Sequence, residues 1–393
     1  DSEKTKMKIA KGVNRLGTEA VYNIFAKTKK LIKQGKEIID LSLGQSDFKS
    51  PQHAVDAAIK ALRDGHHGYT LPNGIIECRE AVSRKIKKLY KAHVDPERII
   101  IMPGGKPTMH YAISFFGEPG AEIIYPDPGF PIYESMINFT GAKAISYNMT
   151  ENKDFLLNPD KVLSLVNERT RLLILNNPHN PTGGFTEKKI IDKLANGLKK
   201  FPDLVILSDE VYDRLIFDNK EIPTLLNYPE LYQRLIILNG WSKTYAMTGW
   251  RLGWSVWPQK LIEHVFKFCV NSHSCVNAPA QYGAIAALDG PEDHLNNMLE
   301  KFTFRRKLIV DGLRSLKGVE CSQPGGSFFV FPNVRGTGMD GAQFTDICLK
   351  EAGVAVIPGT AFGKFATDNV RFNFATSEEN ISKAIEKIDK ILK

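Results

Sequence analysis

The chain has 393 residues, with 52 lysines and arginines against 44 aspartates and glutamates, which gives a formal net charge of +8. These charges are spread along the chain and form no basic block, so we expect no nucleic-acid partner. No apolar run approaches the roughly 18 residues that a membrane-spanning helix needs, so we expect no membrane partner either. A single hydrophobic core does not extend over so long a chain, which predicts two domains.

The cysteines and the familiar ligand patterns argue against a metal site. The five cysteines are odd in number and none lies in a C-x-x-C pair, which favours reduced thiols and a cytoplasmic location. The sequence contains neither H-E-x-x-H nor a calcium-loop pattern. The stretch "PGGKPT" (103–108) lacks the early glycine and the Ser or Thr after lysine that define a nucleotide-binding P-loop.

Short apolar runs in the middle of the chain predict buried strands. These runs are "EIIYP" from Glu122, "RLLILNN" from Arg171, "DLVILSDE" from Asp203 and "RLIILNG" from Arg234. Segments with helical periodicity, such as "TEKKIIDKLANGLKK" (186–200), lie between them. Strands that alternate with helices predict an α/β fold, in which helices cover both faces of a mostly parallel sheet to give three layers.

Residues 369–393 predict a strand followed by a helix. We expect Thr376 and Glu379 to form a capping box at the start of this helix. Its buried stripe is predicted to consist of Ile381, Ala384, Ile385, Ile388 and Leu392. Such an ending suits a smaller α+β domain beside the sheet. We therefore divide the chain into an N-terminal arm with part of the small domain (1–45), a large domain (46–285) and a small C-terminal domain (286–393).

Polar residues follow three of the predicted strands where the strands end. Asn180 lies in "NNPHNPTGG", Asp209 in "SDEVYD" and Lys243 in "NGWSKTY". Ligands of open parallel sheets bind beyond the carboxyl ends of the strands, so we expect these side chains to converge on one crevice. Lys243 also lies in a stretch rich in aromatic residues (238–254), where an unpaired lysine is uncommon.

A lysine held among apolar groups, beside an acid and an amide, suits a Schiff base with an aldehyde cofactor. Burial lowers the pKa of a lysine amine toward its deprotonated, nucleophilic form. Pyridoxal phosphate is the common aldehyde of this kind, and its ring nitrogen needs a carboxylate, which Asp209 can supply. Asn180 and Tyr212 are suitable donors to the ring oxygen.

The phosphate and the ring face of such a cofactor also need partners. Gly104 and Gly105 in "MPGGKPTMHYAI" offer open backbone N–H groups, and Pro107 follows at the expected first helical position. Phe130 in "YPDPGFPIY" offers a flat ring. Each residue taken alone has an ordinary explanation, such as a surface lysine, a helix cap or a turn. Their joint occurrence, in order and after strands, favours the cofactor site.

With these residues in place, the sequence closely resembles the class I and II aminotransferases, which are fold-type I pyridoxal-phosphate enzymes, over nearly its whole length. "NPHNPTGG" resembles the segment whose asparagine, here Asn180, contacts the cofactor's phenolic oxygen. "SDEVYDRLIF" is similar to the segment that places Asp209 on the ring nitrogen and Tyr212 on the phenolic oxygen. "SKTYAMTGWRLGW" is similar to the lysine segment, which implies a Schiff base on Lys243 and a phosphate contact from Arg251.

The resemblance extends to the substrate and to a second subunit. "VRFNFATSEENI" is similar to the segment whose arginine, here Arg371, grips the substrate's α-carboxylate, and "LSLGQSDF" places Gly44 beside that carboxylate. "HGYTLPNG" is similar to the segment whose tyrosine, here Tyr69, reaches the partner's phosphate. Together with the segment around Asn277, this resemblance implies a homodimer with shared active sites.

Several positions depart from the family pattern or carry less certain roles. The stacking position is often Trp or Tyr and is Phe130 here. Ser242 is a plausible phosphate donor, and we include Lys106 among the cofactor contacts, although some aspartate-using relatives bind a side-chain carboxylate there. Glu19, in "RLGTEAVYNIF" (15–25), falls where the family's arm covers the active site and would favour a basic substrate side chain. His179 is expected to pack within its loop.

The resemblance thus implies a pyridoxal-phosphate-dependent aminotransferase that moves an amino group between an L-amino acid and a 2-oxo acid. Lys243 is expected to act as general base and acid. An alternative with the same cofactor is elimination, replacement or cyclisation of an amino acid, which Glu19 and the lack of an identifiable second arginine leave open. A non-enzymatic sensor or binding protein of this fold is disfavoured because every expected cofactor residue is present. A dinucleotide site is disfavoured because no G-x-G-x-x-G follows an early strand.

Overall fold

The computed structural model describes residues 7–393. Its strands are β1 (Ile39–Asp40), β2 (Ile99–Met102), β3 (Glu122–Asp127), β4 (Lys143–Asn148), β5 (Thr170–Asn176), β6 (Val205–Asp209), β7 (Leu235–Gly240), β8 (Gly253–Val256), β9 (Phe329–Val330), β10 (Val354–Ala355), β11 (Ile357–Pro358) and β12 (Val370–Asn373). Its α-helices are α1 (Glu19–Lys33), α2 (Gln52–Arg63), α3 (Ile76–Tyr90), α4 (Lys106–Phe116), α5 (Ile132–Thr140), α6 (Pro159–Ser164), α7 (Lys188–Leu198), α8 (Ile262–Ser272), α9 (Ala278–Asp289), α10 (Asp293–Ser315), α11 (Gly341–Ile347) and α12 (Glu378–Leu392).

A seven-stranded sheet in the order β2-β8-β7-β6-β5-β3-β4 forms the centre of the fold. The five strands β7, β6, β5, β3 and β4 are parallel to one another, whereas β8 runs antiparallel to both β2 and β7. The four apolar runs of the sequence are β3, β5, β6 and β7, and the helix predicted over 186–200 is α7. The predicted mostly parallel α/β sheet is therefore confirmed.

Both faces of this sheet are covered by helices because alternate strand residues point to opposite sides. In β5, Leu173 and Leu175 join a core that includes side chains of α3, α7 and α9. Leu172 and Ile174 join a second core with α4, α5 and α8. A strand that is buried on both faces has a near-continuous apolar sequence, which explains why these strands could be predicted from the sequence. The three-layer arrangement is confirmed.

A separate core lies among the C-terminal elements. The antiparallel sheet β11-β12-β9 contributes Phe329 and Phe372, which pack with apolar side chains of α10 and α12. Strand β1 pairs in parallel with β10, so the segment after the N-terminal arm joins these C-terminal elements. This is the α+β character expected of the chain's end.

The start of α12 corrects one local prediction. Its N-cap is Ser377, whose side chain accepts a hydrogen bond from the backbone N–H of Asn380 at 3.1 Å. The predicted capping box of Thr376 and Glu379 is therefore wrong by one residue, because Ser377 already satisfies the free N–H of the first turn. In the predicted stripe, Ile381, Ala384 and Ile388 are buried. The other two members, Ile385 and Leu392, are partly buried and pack against the same core.

The proposed division at residues 45 and 285 stays a prediction. Residue 285 lies inside α9, and this helix packs against α2 and α3. The first break in helical structure after residue 285 is at Gly290. Along residues 7–393, none of the helices combines the length and the apolar character that crossing a membrane requires.

Candidate active site

A cavity of about 640 Å³ lies at the carboxyl ends of β5, β6 and β7. Its lining includes Asn180, Asp209 and Lys243, each of which follows or ends one of these neighbouring strands. Arg371 of β12 and Gly44, which follows β1, line the cavity from the side of the C-terminal elements. The structure therefore brings the three strand-end residues together with the arginine expected to hold a carboxylate.

Lys243 is the amine in this cavity, and its Nζ donates a hydrogen bond to the carbonyl oxygen of Gly44. The rings of Tyr212 and Phe328 lie 5.9 and 5.7 Å from Nζ. Burial lowers the pKa of Lys243 to about 8, and the nearby positive charge of Arg371 adds to this effect. About a tenth of the amine is therefore deprotonated at pH 7, far more than for an ordinary lysine, and the deprotonated form is the one that attacks an aldehyde.

Asp209 is the last residue of β6 and is buried. Its Oδ2 accepts a hydrogen bond from the hydroxyl of Tyr133, and its Oδ1 accepts one from the N–H of Val211 at 3.3 Å. Burial raises the pKa of Asp209 to about 6, while the Tyr133 hydrogen bond and the charge of Lys243 oppose that rise. A buried carboxylate of this kind favours a cationic partner in the cavity.

Tyr133 is a site residue that the sequence interpretation missed. It lies in the first turn of α5, is fully buried and faces Asp209 across 76 positions of the chain. No local pattern marks it, since a tyrosine in an amphipathic helix ordinarily indicates packing. Its proximity to Phe130, three residues earlier in "GFPIY", is the one sequence signal that could have pointed to it.

The N-terminus of α4 and Arg251 form the candidate phosphate end. Gly105 is the N-cap of α4, so the first backbone N–H groups of the helix are free for an anion. Gly104 has φ +90°, and a Cβ at this position would lie 2.2 Å from Nη2 of Arg251. Glycine is therefore favoured here by the backbone conformation, and its lack of a side chain leaves room for the guanidinium beside the loop. Ser242 lines the same cavity.

Arg371 forms the candidate carboxylate end. Its Nη1 donates to Oδ1 of Asn180 at 2.9 Å and its Nη2 donates to the carbonyl oxygen of Ser42 at 2.8 Å. The guanidinium carbon lies 4.1 Å from the ring centre of Phe329 and 4.7 Å from that of Phe362. Burial lowers the pKa of Arg371 to about 10, which still leaves it charged at neutral pH. Among the described residues its buried Nε has no hydrogen-bond partner, so the group has donor capacity to spare for an anion.

The remaining predicted residues occupy different places. Phe130 and Lys106 line the cavity, with Nζ of Lys106 5.9 Å from the Phe130 ring centre. His179 is buried, and its Nδ1 shares a hydrogen bond with Thr182 at 2.6 Å, as expected of loop packing. Asn277 caps α9 by accepting a hydrogen bond from Ala280 N–H.

Tyr69 and Glu19 lie outside this cavity. Tyr69 is 93% exposed and lines a second cavity of about 420 Å³ at the surface. Glu19 is exposed at the first position of α1, whereas its neighbours Thr18, Val21 and Tyr22 line the main cavity. Glu19 therefore does not line the cavity in this structure, and its expected contact with a basic substrate side chain stays a prediction.

The cavity fits the aldehyde cofactor that the sequence resemblance implied. It combines an amine of lowered pKa, a buried carboxylate, and a helix N-terminus with an arginine beside it. These groups match the aldehyde, the ring nitrogen and the phosphate respectively. Within residues 7–393, no group of His, Cys, Asp and Glu side chains is arranged to hold a metal ion.

An α/β sheet whose strand ends bring an amine, a carboxylate and a guanidinium into one cavity fits a group-transfer enzyme that uses an aldehyde cofactor. The family described as aminotransferase class I and II matches residues 36–388, and the chain belongs to this family. It is therefore a transaminase. Members of this class use pyridoxal phosphate in general and act on amino and 2-oxo acids.

Proteins of similar sequence or structure match nearly the full length of the chain. The chain is 35% identical to an aspartate aminotransferase of Pyrococcus horikoshii, over 99% of this chain and 98% of that protein. It is 34% identical to aromatic-amino-acid aminotransferase 2 of Thermococcus litoralis, over 92% and 94%. The crystal structure of an aspartate aminotransferase from Rhizobium meliloti superposes with a TM-score of 0.94 at 29% identity, covering 98% of this chain and 99% of that one. The fold is thus that of the fold-type I aminotransferases.

Proposed function

We propose that this enzyme carries pyridoxal phosphate on Lys243 and transfers the amino group of an acidic L-amino acid to a 2-oxo acid. The observation that carries the proposal is the convergence of Lys243, Asp209 and Arg371 on one cavity. When bound, the cofactor supplies an electron sink that stabilises negative charge on the amino acid's Cα. The steps that follow depend on the side chains of this chain.

Arg371 and Asn180 orient the substrate. The guanidinium can bind the α-carboxylate bidentately, and such a charge-assisted pair fixes both position and angle. The rings of Phe329 and Phe362 contact the guanidinium, and together with its hydrogen bonds to Asn180 and Ser42 they restrict its movement. With its Oδ1 engaged by Arg371, Asn180 offers its Nδ2 as the donor to the cofactor's ring oxygen.

Lys243 moves the proton. With the cofactor and substrate bound, Nζ would be a free amine in an apolar setting and would remove the proton from Cα. As an ammonium, Nζ would then give that proton to the former aldehyde carbon of the cofactor and not back to Cα, so that the amino group stays behind and the substrate leaves as a 2-oxo acid. Arg371, Arg251 and Lys106 each lower its pKa through their charge, which keeps Nζ available as a base near neutral pH.

Lys106 supports the choice of an acidic substrate. It lines the cavity at the start of α4, and the ion pairs formed within residues 7–393 do not include it. An ammonium in this position can pair with a second carboxylate of the substrate. The relative from Pyrococcus horikoshii is named for aspartate. The alternative of elimination, replacement or cyclisation is less well supported for a basic substrate, since Glu19 does not line the cavity.

An aromatic amino acid is a second candidate donor. Val21, Tyr22 and Phe25 of α1, together with Ile132 and Ile357, give the cavity a largely apolar wall. The relative from Thermococcus litoralis is named for aromatic amino acids. One experiment ranks the two donors: incubation of the enzyme with 2-oxoglutarate and either aspartate or phenylalanine, with glutamate measured as the common product.

Replacing Lys106 with methionine tests the selectivity. We expect kcat/KM for aspartate to fall by about 10- to 100-fold, because a charge-assisted hydrogen bond contributes about 1.5–3 kcal/mol. The value for phenylalanine should change by less than about 3-fold, since an apolar side chain has no charge to lose. The Lys260→Met variant changes an exposed lysine outside the cavity and serves as the control. An equal loss with both donors would assign Lys106 to the cofactor.

We also propose a homodimer in the cytoplasm. Exposed Tyr69 and Leu71 line the second cavity together with Tyr282, so an apolar surface is available for a partner. Tyr69 would then reach the partner's phosphate site, as the sequence resemblance implies. The five cysteines are free thiols, which suits a reducing compartment. Light scattering is expected to give twice the chain mass of 44.0 kDa, and a monomer at micromolar concentration would contradict the proposal.

A further inference from the structure

Two loops from different parts of the fold meet beside the cavity. Residues 127–130 end β3 of the large sheet, and residues 359–366 follow β11 of the C-terminal sheet. The N–H of Gly129 donates to the carbonyl oxygen of Phe362 at 2.9 Å. Each loop also places a phenylalanine on the cavity wall, Phe130 from the first and Phe362 from the second.

Asp127 is the main link between these loops. Its carboxylate accepts hydrogen bonds from the backbone N–H groups of Lys364 at 3.2 Å and Phe365 at 3.4 Å. The residue is only 2% exposed, and burial raises the pKa of this carboxyl group. Within residues 7–393 it forms none of the ion pairs. Burying a carboxylate costs several kcal/mol unless hydrogen bonds compensate, so the contact with this loop is what stabilises it.

Gly363 shows how closely the second loop approaches Asp127. Its φ is +150°, and a Cβ at this position would lie 1.9 Å from Oδ1 of Asp127. Any side chain here would push the loop off the carboxylate. The contact therefore depends on both residues, one from each loop.

The position of the second loop matters for Arg371. The guanidinium carbon of Arg371 lies over the Phe362 ring, 4.7 Å from its centre, and over the Phe329 ring, 4.1 Å from its centre. Phe362 is buried in a small core with Phe331, and side chains of α1 pack against this core. A shift of residues 362–365 would therefore move the Phe362 ring away from the guanidinium and disturb the packing of α1.

We infer that Asp127 is a positioning residue for substrate binding: its carboxylate fixes residues 362–365, so that Phe362 holds Arg371 at the angle needed for the α-carboxylate. The inference rests on the proposed function, in which Arg371 binds that group. Asp127 itself does not line the cavity. Because Asp127 affects the orientation of the guanidinium, its replacement should weaken substrate binding, measured as KM, more than it lowers kcat.

The Asp127→Asn variant tests this inference with two readouts. An asparagine retains one acceptor oxygen but presents an N–H group to the second backbone donor, so one hydrogen bond is lost. We expect hydrogen–deuterium exchange at residues 362–365 to accelerate about 10-fold or more, because a lost hydrogen bond to a charged group is worth about 1.5–3 kcal/mol. KM for the amino acid should rise about 10-fold, with kcat within about 3-fold of wild type.

Two further variants complete the experiment. Gly363→Ala perturbs the same contact from the other loop, leaves Asp127 intact and should reproduce both effects. Asp203→Asn removes an exposed carboxylate from the turn before β6 and should produce neither. Unchanged exchange in both loop variants would overturn the inference, and so would faster exchange with unchanged KM. A wild-type enzyme without transaminase activity would overturn the proposed function instead, while the exchange rates still decide whether Asp127 holds the loop.

Discussion

Replacing Lys243 with alanine is expected to lower turnover by about 10⁴-fold, because the variant lacks both the nucleophile for the cofactor and the base that moves the Cα proton. The absorbance that pyridoxal phosphate gains on bonding to Nζ should also disappear. Among residues 7–393, the other lysine that lines the cavity is Lys106, which lies at the start of α4 beside Phe130 and is therefore not placed to take over. The measurement is glutamate formation from an amino acid and 2-oxoglutarate, together with the absorbance spectrum of the purified protein.

The Lys243→Arg variant tests whether activity depends on a deprotonated amine or only on a positive charge at this position. Arginine retains the cation but stays protonated at all accessible pH values, so it should be as inactive as alanine. Lys260→Ala, at an exposed position outside the cavity, should keep wild-type activity and spectrum. Retention of more than about a tenth of the activity in Lys243→Ala would contradict the assignment, since general-base catalysis alone contributes about 10²- to 10⁴-fold.

The sheet and the meeting of its strand ends could be predicted from the sequence because both depend on local signals. Strands β3, β5, β6 and β7 are buried on both faces, so each one is a continuous apolar run. In a parallel sheet the carboxyl ends of such strands share one edge. It follows that Asn180, Asp209 and Lys243 must lie close together, whatever the details of the loops between them.

Contacts between residues far apart in the sequence left little local signal. The contact of Tyr133 with Asp209, and that of Asp127 with Lys364 across 237 positions, form only because packing brings separate elements together. Helix ends were also poorly predicted. Glu19 was assigned to the cavity from its place in the arm, but the first turn of α1 presents Val21 and Tyr22 there instead. A shift of one or two positions in a helix changes which side chain faces a ligand.

Replacing Asp209 with asparagine is expected to lower kcat by about 10²- to 10³-fold, because removing one partner of a buried ion pair costs about 3–5 kcal/mol. An amide of the same shape cannot stabilise a positive charge on the cofactor's ring nitrogen, and without that charge the ring withdraws fewer electrons. KM should change much less, since Arg371 still holds the carboxylate. Steady-state kinetics give both values, and cofactor content measured after dialysis shows whether binding has weakened as well.

Asp213→Asn is the matched control for this experiment. Asp213 is also buried, and burial raises its pKa to about 6, yet it does not line the cavity. The two variants therefore lose similar buried carboxylates, and any difference in kcat between them reflects what Asp209 faces. Equal losses of kcat in both would mean that Asp209 acts only through the stability of the fold.

Tyr133→Phe then shows whether the charge of Asp209 is the property that matters. The phenol donates to the carboxylate and so stabilises its ionised form. Without that donor the pKa of Asp209 must rise, and protonation of the carboxylate begins at a higher pH. The acidic limb of the pH–kcat profile should therefore move to higher pH in Tyr133→Phe, while the plateau stays close to wild type. If Asp209 served only as a neutral hydrogen-bonding group, the limb would not move, and Asp209→Asn would retain most of its activity.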